Sequence, residues 1–379
     1  AVRVYSGERW AVVVGHVLDV LRQMPEKSVH CVVTSPPYYG LRAYGTNPQT
    51  WGGDSGCAHE WASAEVVVSD SAPSASSTLV GNGHVGGGPK MHVERPVMLS
   101  GFCQRCKAWR GEFGAEPTPD LYVEHLVTIC REVRRVLRDD GTFWLNLGSS
   151  YAADRTYQVP STKGGPKHTP AQGIAGRGSK VPDGYQAKSL IPIPWLAGIA
   201  LQKDGWILRN DCIWSKADDD GGTCMPFPAI DRFVPSHEYV LLFSKQQRYS
   251  FDWYAVGSAT RRARTVWTIN VRPFKGAHFA TFPAELAARC IRAGAPEGGA
   301  CAVCGMPLKR VVLKSDVPDM EQRRANGADA SGEYRGQATK DFASAKAQNA
   351  SDVKRRVLAG QVGVAETWFE KVCDCPGDA

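Results

Sequence analysis

Thr34-Ser35-Pro36-Pro37-Tyr38 follows directly on the apolar run Val29–Val33. Two consecutive prolines fix φ and remove two N–H donors, so the backbone here offers carbonyl acceptors beside the Ser35 hydroxyl and the flat face of Tyr38. Such a loop suits a planar group bearing an amino donor: the acceptors grip its N–H bonds while the aromatic ring stacks on it. An exocyclic amine on cytosine or adenine has its lone pair delocalised into the ring and is a poor nucleophile. Drawing its hydrogens toward two fixed acceptors favours a more pyramidal nitrogen and aims the lone pair at an electrophile, which is catalysis by orientation and electrostatic preorganisation. No metal is needed for that step. As a bare string the same residues also make a turn, with Ser35 a turn former and Tyr38 a core aromatic.

The cysteines are the second set with chemistry in them. There are 12 in the chain, more than a reducing compartment, which disfavours disulfides, leaves without a reason. Cys301-x-x-Cys304 and Cys373-x-Cys375 are two close pairs that can supply four thiolates to one tetrahedral zinc. Cys57-Ala58-His59 and, after a long intervening segment, Cys103-x-x-Cys106 form a less regular set that reads as a Cys3His zinc site. Both would be closed, structural sites with no position for water. Cys31, Cys130, Cys212, Cys224 and Cys290 have no ligand spacing and read as small core hydrophobes.

Elements must carry these groups. Ala11–Val14, a short helical pattern in Leu18, Val20, Leu21 and Met24, and Val29–Thr34 read as a strand, helix, strand unit, which sets Ser35 at the C-terminal end of a strand, where open α/β sheets bind ligands. Thr118-Pro119 is an N-cap and N1 pair opening a helix with Tyr122, Leu126, Ile129, Val133 and Val136 on one face, stopped by Asp139-Asp140-Gly141. Thr142–Leu147 reads as a strand, followed by a helix near Pro194, strands Trp206–Trp214 and Glu238–Phe243, and a helix from Pro283 to about Ala293. The alternation argues for a mostly parallel α/β sheet with helices on both faces.

Between these blocks the composition changes. Residues 57–106 are rich in Ser, Gly and Ala and read as an insertion tied at its ends by metal ligands. Tyr151–Lys188 carries six basic and two acidic residues and reads as a solvated loop or as a flexible arm over a phosphate backbone. Ala255–His278 holds Arg261, Arg262, Arg264, Arg272 and Lys275 with no acidic residue; with Trp267 and Phe274 interleaved, it suits a nucleic-acid surface. The segments are expected as a catalytic core of 1–56 and 107–300 with a basic loop at 151–190, a zinc-bound insertion at 57–106, and a zinc-bound segment at 301–379.

Over 379 residues the chain is 43% hydrophobic and 22% charged with a formal charge of +7, which excludes collagen-like and wholly disordered classes and agrees with a polyanionic partner. No apolar run reaches the ~18 residues a membrane span needs, and the start shows no signal peptide, so cytoplasm is the expected compartment.

Several blocks in this order, VLDVLRQMPEKSVHCVVTSPPYYGLR, YVEHLVTICREVRRVLRDDGTFWLNLGSSYA, NDCIWSK, SHEYVLLFSK and VWTINVRPFKGAHFATFPAELAARCI, resemble amino DNA methyltransferases of the β type, whose catalytic motif precedes the cofactor motifs. The resemblance implies a Rossmann-like sheet that transfers a methyl group from S-adenosylmethionine to a flipped base in duplex DNA. It implies that Ser35 and the Pro36 carbonyl bind the target amine, that Pro37 shapes the loop and that Tyr38 stacks on the base. It assigns His278, Phe279, Phe282 and Pro283 to the cofactor's side, with Asp19 a displaced candidate because Gly15-His16 stands where the family has Gly-Asp; His278 also reads as a packing residue. The Ser form of the motif after Thr is associated more with cytosine N4 than with adenine N6. The family's glycine-rich loop, Asp-Pro-Phe-x-Gly-x-Gly, is not found, so a fold incomplete at the C-terminus, a partner chain supplying the loop, or a DNA-binding pseudoenzyme are further expectations.

Overall fold

A computed structural model of the chain describes residues 2–41, 46–61, 101–152, 181–216, 230–257, 262–271, 281–315 and 363–376. Its elements, in chain order, are β1 (Arg3–Gly7), β2 (Trp10–Val14), α1 (Val17–Gln23), β3 (Val29–Thr34), β4 (Gln49–Trp51), β5 (Gly101–Phe102), β6 (Trp109–Gly111), α2 (Pro119–Val136), β7 (Leu137–Leu147), β8 (Ser150–Tyr151), β9 (Leu190–Ile191), α3 (Ile193–Lys203), β10 (Ile207–Ser215), β11 (His237–Ser244), α4 (Trp253–Val256), β12 (Val266–Thr268), α5 (Ala284–Gly294), β13 (Lys309–Ser315) and β14 (Gly363–Glu370). The fold is α/β. The chain divides into two units, one of Ala1–Gln23, Thr34–Arg134 and Asn146–Trp206, the other of Met24–Val33, Arg135–Leu145 and Ile207–Ala379.

The second unit is built on a five-stranded sheet of order β12-β10-β11-β7-β3. The sheet is mixed: β10 runs antiparallel to β11 and parallel to β12. Alternate residues of β7 and β11 are buried on both faces, Trp144, Val240 and Leu242 on one and Phe143, Leu145, Leu241 and Phe243 on the other, the continuous apolar pattern of strands covered on two sides. On the first face Leu286, Cys290 and Ala293 of α5 close a core with Trp144, Cys212, Trp214 and Trp267, against which Cys31 and Val33 of β3 also pack.

The first unit holds α1, α2, α3 and a three-stranded sheet of order β4-β6-β5. Helix α2 starts as its cap requires, with Thr118 Oγ1 accepting from the Leu121 amide at 3.2 Å. Tyr122, Leu126, Cys130, Val133 and Val136 are buried along it.

Two expectations are corrected. Trp10–Val14 does not belong to a strand, helix, strand unit of the sheet; it pairs with β1 as an antiparallel ribbon whose ten residues are all exposed. Asp139-Asp140-Gly141 does not stop α2, which ends at Val136, because β7 begins at Leu137 and runs through the triplet. The two acids are paired, Asp139 with Lys27 and Lys245 and Asp140 with Arg138. At Gly141 an added Cβ would fall 2.8 Å from His30 O, so the glycine permits a close approach of backbones and marks no helix end. Among the described residues no helix is long and apolar enough to cross a membrane.

Candidate active site

Strand β3 ends at Thr34, and Ser35–Tyr38 follow, all half-buried. Pro37 O accepts the Tyr122 hydroxyl at 2.9 Å. Burial, and then the charge of Glu116, push the Tyr122 phenol well above its ordinary range, so it stays a donor. Among the described residues no donor reaches the Pro36 carbonyl, which leaves it open as an acceptor. Ser35 Oγ donates to Tyr38 Oη at 3.4 Å, and Tyr38 Oη donates to Asn146 Oδ1 at 3.1 Å. An amide oxygen only accepts, so Asn146, buried near the end of β7, sets the direction of the relay. The Ser35 lone pairs then remain available to accept from an incoming amine.

The loop is held from beneath. The Gly40 amide donates to Gly114 O at 2.8 Å. Gly114 has φ +91°, and a Cβ there would lie 3.0 Å from Pro37 Cβ and 3.2 Å from Tyr38 O. The Gly114 amide donates to Glu116 Oε2 at 2.8 Å, and Glu116 Oε1 meets His125 Nδ1 at 3.0 Å in a fully buried pair. The His125 ring stacks on Trp51 and Trp109 at 5.0 and 5.6 Å. Sequence reasoning named none of Gly114, Glu116, His125 and Asn146, and read Tyr122 only as an apolar position on the face of α2. A signal existed only for Asn146, a lone polar residue in the apolar run Phe143–Leu147.

The residues assigned to the cofactor are less complete. His278 and Phe279 lie outside the described residues. The half-buried Phe282 packs on the core that also receives Val33, two residues ahead of Ser35, and buried Pro283 caps α5. Asp19 is exposed in the first turn of α1. His16, three residues before it, turns its ring edge to Trp51 at 5.1 Å, and burial lowers its pKa.

Of the basic patch, Arg261 and Lys275 lie outside the described residues. Arg262 and Arg264 are exposed; the Arg262 guanidinium sits 5.5 Å over the Trp253 ring, and Arg264 O accepts the Trp267 indole N–H at 2.7 Å. These contacts fix the segment while its charges face solvent.

Both predicted cysteine sets come together. The four ligating atoms of Cys57, His59, Cys103 and Cys106 lie within 4.8 Å of one another, as do those of Cys301, Cys304, Cys373 and Cys375. Burial raises the Cys103 thiol, but N–H groups of Cys106 and Arg105 and the His59 ring outweigh it and bring the pKa down to about 5. N–H groups of Cys304 and Val303 bring Cys301 down to about 6. Cys130, Cys212 and Cys290, by contrast, are buried thiols pushed up by loss of solvent; Cys31 is half-buried and raised likewise, and Cys224 lies outside the described residues.

Residues 29–302 match the DNA methylase family of N6/N4 methyltransferases. The chain belongs to this family. It is 35% identical over 290 residues to the type II methyltransferase M.Cfr9I of Citrobacter freundii, covering 75% of this chain and 72% of that one. To the type II methyltransferase M.SmaI of Serratia marcescens it is 32% identical over 296 residues, 76% of each. The solved PvuII cytosine-N4-specific DNA methyltransferase is also similar, with 17% identity and a TM-score of 0.41 over 74% of this chain and 68% of that one. The chain is thus a member of a DNA methyltransferase family whose relatives are type II modification enzymes, and these comparisons give no support to a second chain completing it.

Proposed function

We propose that this chain transfers a methyl group from S-adenosylmethionine to the exocyclic amine of a base flipped out of duplex DNA, and that the base is cytosine, modified at N4. The observation that carries the proposal is the pair of open acceptors, Ser35 Oγ and Pro36 O, on a loop where Pro37 O and Tyr38 Oη are already engaged. The bound cofactor supplies an electrophilic methyl group on a sulfonium. Ser35 and Pro36 accept the two N–H bonds of the amine and turn its lone pair outward, so the barrier falls by orientation and by dipoles fixed in advance. Tyr38, tethered at its hydroxyl, offers its ring to the flipped base. Phe282 and Pro283, with His278 and Phe279, would line the cofactor. Arg262 and Arg264, with Arg261 and Lys275, would meet the phosphate backbone, which positions the duplex without reading its sequence.

The Thr-Ser-Pro-Pro-Tyr form of the motif supports cytosine N4 over adenine N6. The test is transfer of isotopically labelled methyl to unmethylated duplex DNA by the parent and by Tyr38→Ala. The parent should label the DNA, and the variant should fall by ~100-fold or more, the loss expected when a reacting group is no longer held. Equal labelling by both, or none by the parent, would overturn the assignment.

A further inference from the structure

The loops Cys103–Ala108 and Cys301–Met306 are unrelated in position, yet they close with the same hydrogen bonds. In the first, the Lys107 amide donates to Cys103 O at 3.0 Å and the Cys103 amide to Ala108 O at 2.7 Å; in the second, the Gly305 amide donates to Cys301 O at 2.8 Å and the Cys301 amide to Met306 O at 2.9 Å. The residue four beyond the first cysteine has positive φ in both, +63° at Lys107 and +68° at Gly305. Each closed turn holds both cysteines of its C-x-x-C pair among the four ligating atoms that lie within 4.8 Å of one another, the donor set and spacing of a closed tetrahedral metal site.

We propose that each tetrad holds one structural zinc ion, and that the first ion, through the segment Ala108–Gly114, fixes the loop that carries Ser35 and Tyr38. Zn–S bonds of about 2.3 Å in a tetrahedron put sulfurs about 3.8 Å apart. Cys57 Sγ and Cys103 Sγ lie 4.0 Å apart and Cys106 Sγ and His59 Nδ1 3.3 Å apart, so small movements complete the site. A disulfide, with sulfurs about 2.05 Å apart, would leave one cysteine and His59 of the first tetrad without a role. Gly53 confirms how tightly the first tetrad is built: a Cβ there would fall 2.8 Å from Cys106 Sγ and 2.6 Å from Ala108 Cβ.

From Ala108 the chain enters β6, where Trp109 is buried against Trp51 and Leu18. The Trp51 indole donates to Gly111 O at 3.2 Å, and three residues later Gly114 receives Gly40 and touches Pro37. The second tetrad acts elsewhere. Arg138 donates to Cys304 O at 3.0 Å and His30 Nε2 meets Gly305 O at 2.8 Å, while Cys373 and Cys375 follow β14, which pairs with β13. That zinc joins residues 363–376 to the knuckle after α5. The metal assignment stands independently of the reaction proposed above.

Elemental analysis of the purified full chain should find two zinc ions per chain, and Cys57→Ser and Cys373→Ser should each retain one. Hydrogen exchange at Tyr38–Leu41, where the Gly40 amide is read directly, should accelerate by ~10-fold or more in Cys57→Ser, a local opening of the loop, and keep the parent rate in Cys373→Ser. If Cys57→Ser does not fold, cobalt(II) exchanged into the parent supplies the reading, as tetrahedral thiolate spectra from two sites. A folded parent without zinc, or with iron in its place, overturns the metal assignment. Two zinc ions retained in both variants, or equal exchange at Gly40 in both, overturns the division of roles.

Discussion

The two knuckles share a backbone but hold different loads. Around Cys103–Cys106 the chain is dense with aromatic rings, and Trp51, Trp109, Phe113 and His125 fill the space up to Gly114. Around Cys301–Cys304 the contacts are polar: Arg138 and His30 reach the loop's carbonyls, and Arg310 behind it pairs with Asp252 and lies 4.6 Å over the Phe369 ring. In the first region, packed rings that cannot shift singly lead from the knuckle to the loop proposed to hold the base. In the second, polar contacts join residues 363–376 to the sheet's unit. On the proposal above, a similar motif steadies a loop in one place and attaches a segment in the other, and what decides is the packing next to it.

Glycine substitutions break this comparison most strongly. Gly114→Ala places a Cβ against Pro37 and Tyr38 O at a residue of φ +91°; it should cost about 1–3 kcal/mol and reduce kcat by ~100-fold as the acceptors leave their positions. Gly305→Ala meets Arg138 Nη1 at 2.7 Å with φ +68° and should lose similar stability with a much smaller fall in kcat. Denaturation midpoints and turnover measured on both variants decide whether the two regions differ.

A smaller effect is expected from the basic patch. Arg262→Ala with Arg264→Ala should raise KM for DNA more than it lowers kcat, and should flatten the dependence of log binding on log salt by roughly 0.9 per lost phosphate contact. An unaltered slope would return both arginines to the solvated surface.

The smallest concerns pH. Hydrogen bonds from Lys27 and Lys245 hold the Asp139 carboxyl down to about 2. Its folded pKa lies below its unfolded one, so its stabilisation is present above the ordinary carboxylate range and is lost as pH falls from about 4 toward 2. Because Asp139 is 40% exposed, solvent screens the pair, and Asp139→Asn should change stability at neutral pH by well under about 1 kcal/mol. Acid titration of the unfolding midpoint in parent and variant measures it.

Much of the sheet was legible in the residues. Val29–Thr34, Pro119–Val136 and Glu238–Phe243 announce themselves because burial on one or both faces leaves a period in the apolar residues. Trp10–Val14 misled for the same reason: an apolar run of β-formers reads as core, yet its pairing with Arg3–Gly7 leaves it in solvent. Asp139-Asp140-Gly141 misled because turn-forming residues were read without the neighbouring Arg138 and the sequence-distant Lys27 and Lys245 that pair with the two acids. At the site, the motif and both cysteine sets could be found because their chemistry fixes local spacing. The roles of Gly114, Glu116, Tyr122 and His125 could not, since the contacts that tie them to the loop or to one another reach across as many as 85 residues; Tyr122 shows in the sequence only as a core position of α2.

The central claim is that Ser35 and Pro36 hold a base amine for methylation, and the most direct measurement is mass spectrometry of nucleosides from unmethylated duplex DNA incubated with this chain and isotopically labelled S-adenosylmethionine. The account predicts label in N4-methylcytosine. Label in N6-methyladenine would correct the base while keeping the grip on an amine. Label on a ring carbon, or no label in DNA that the chain still binds, would contradict the account.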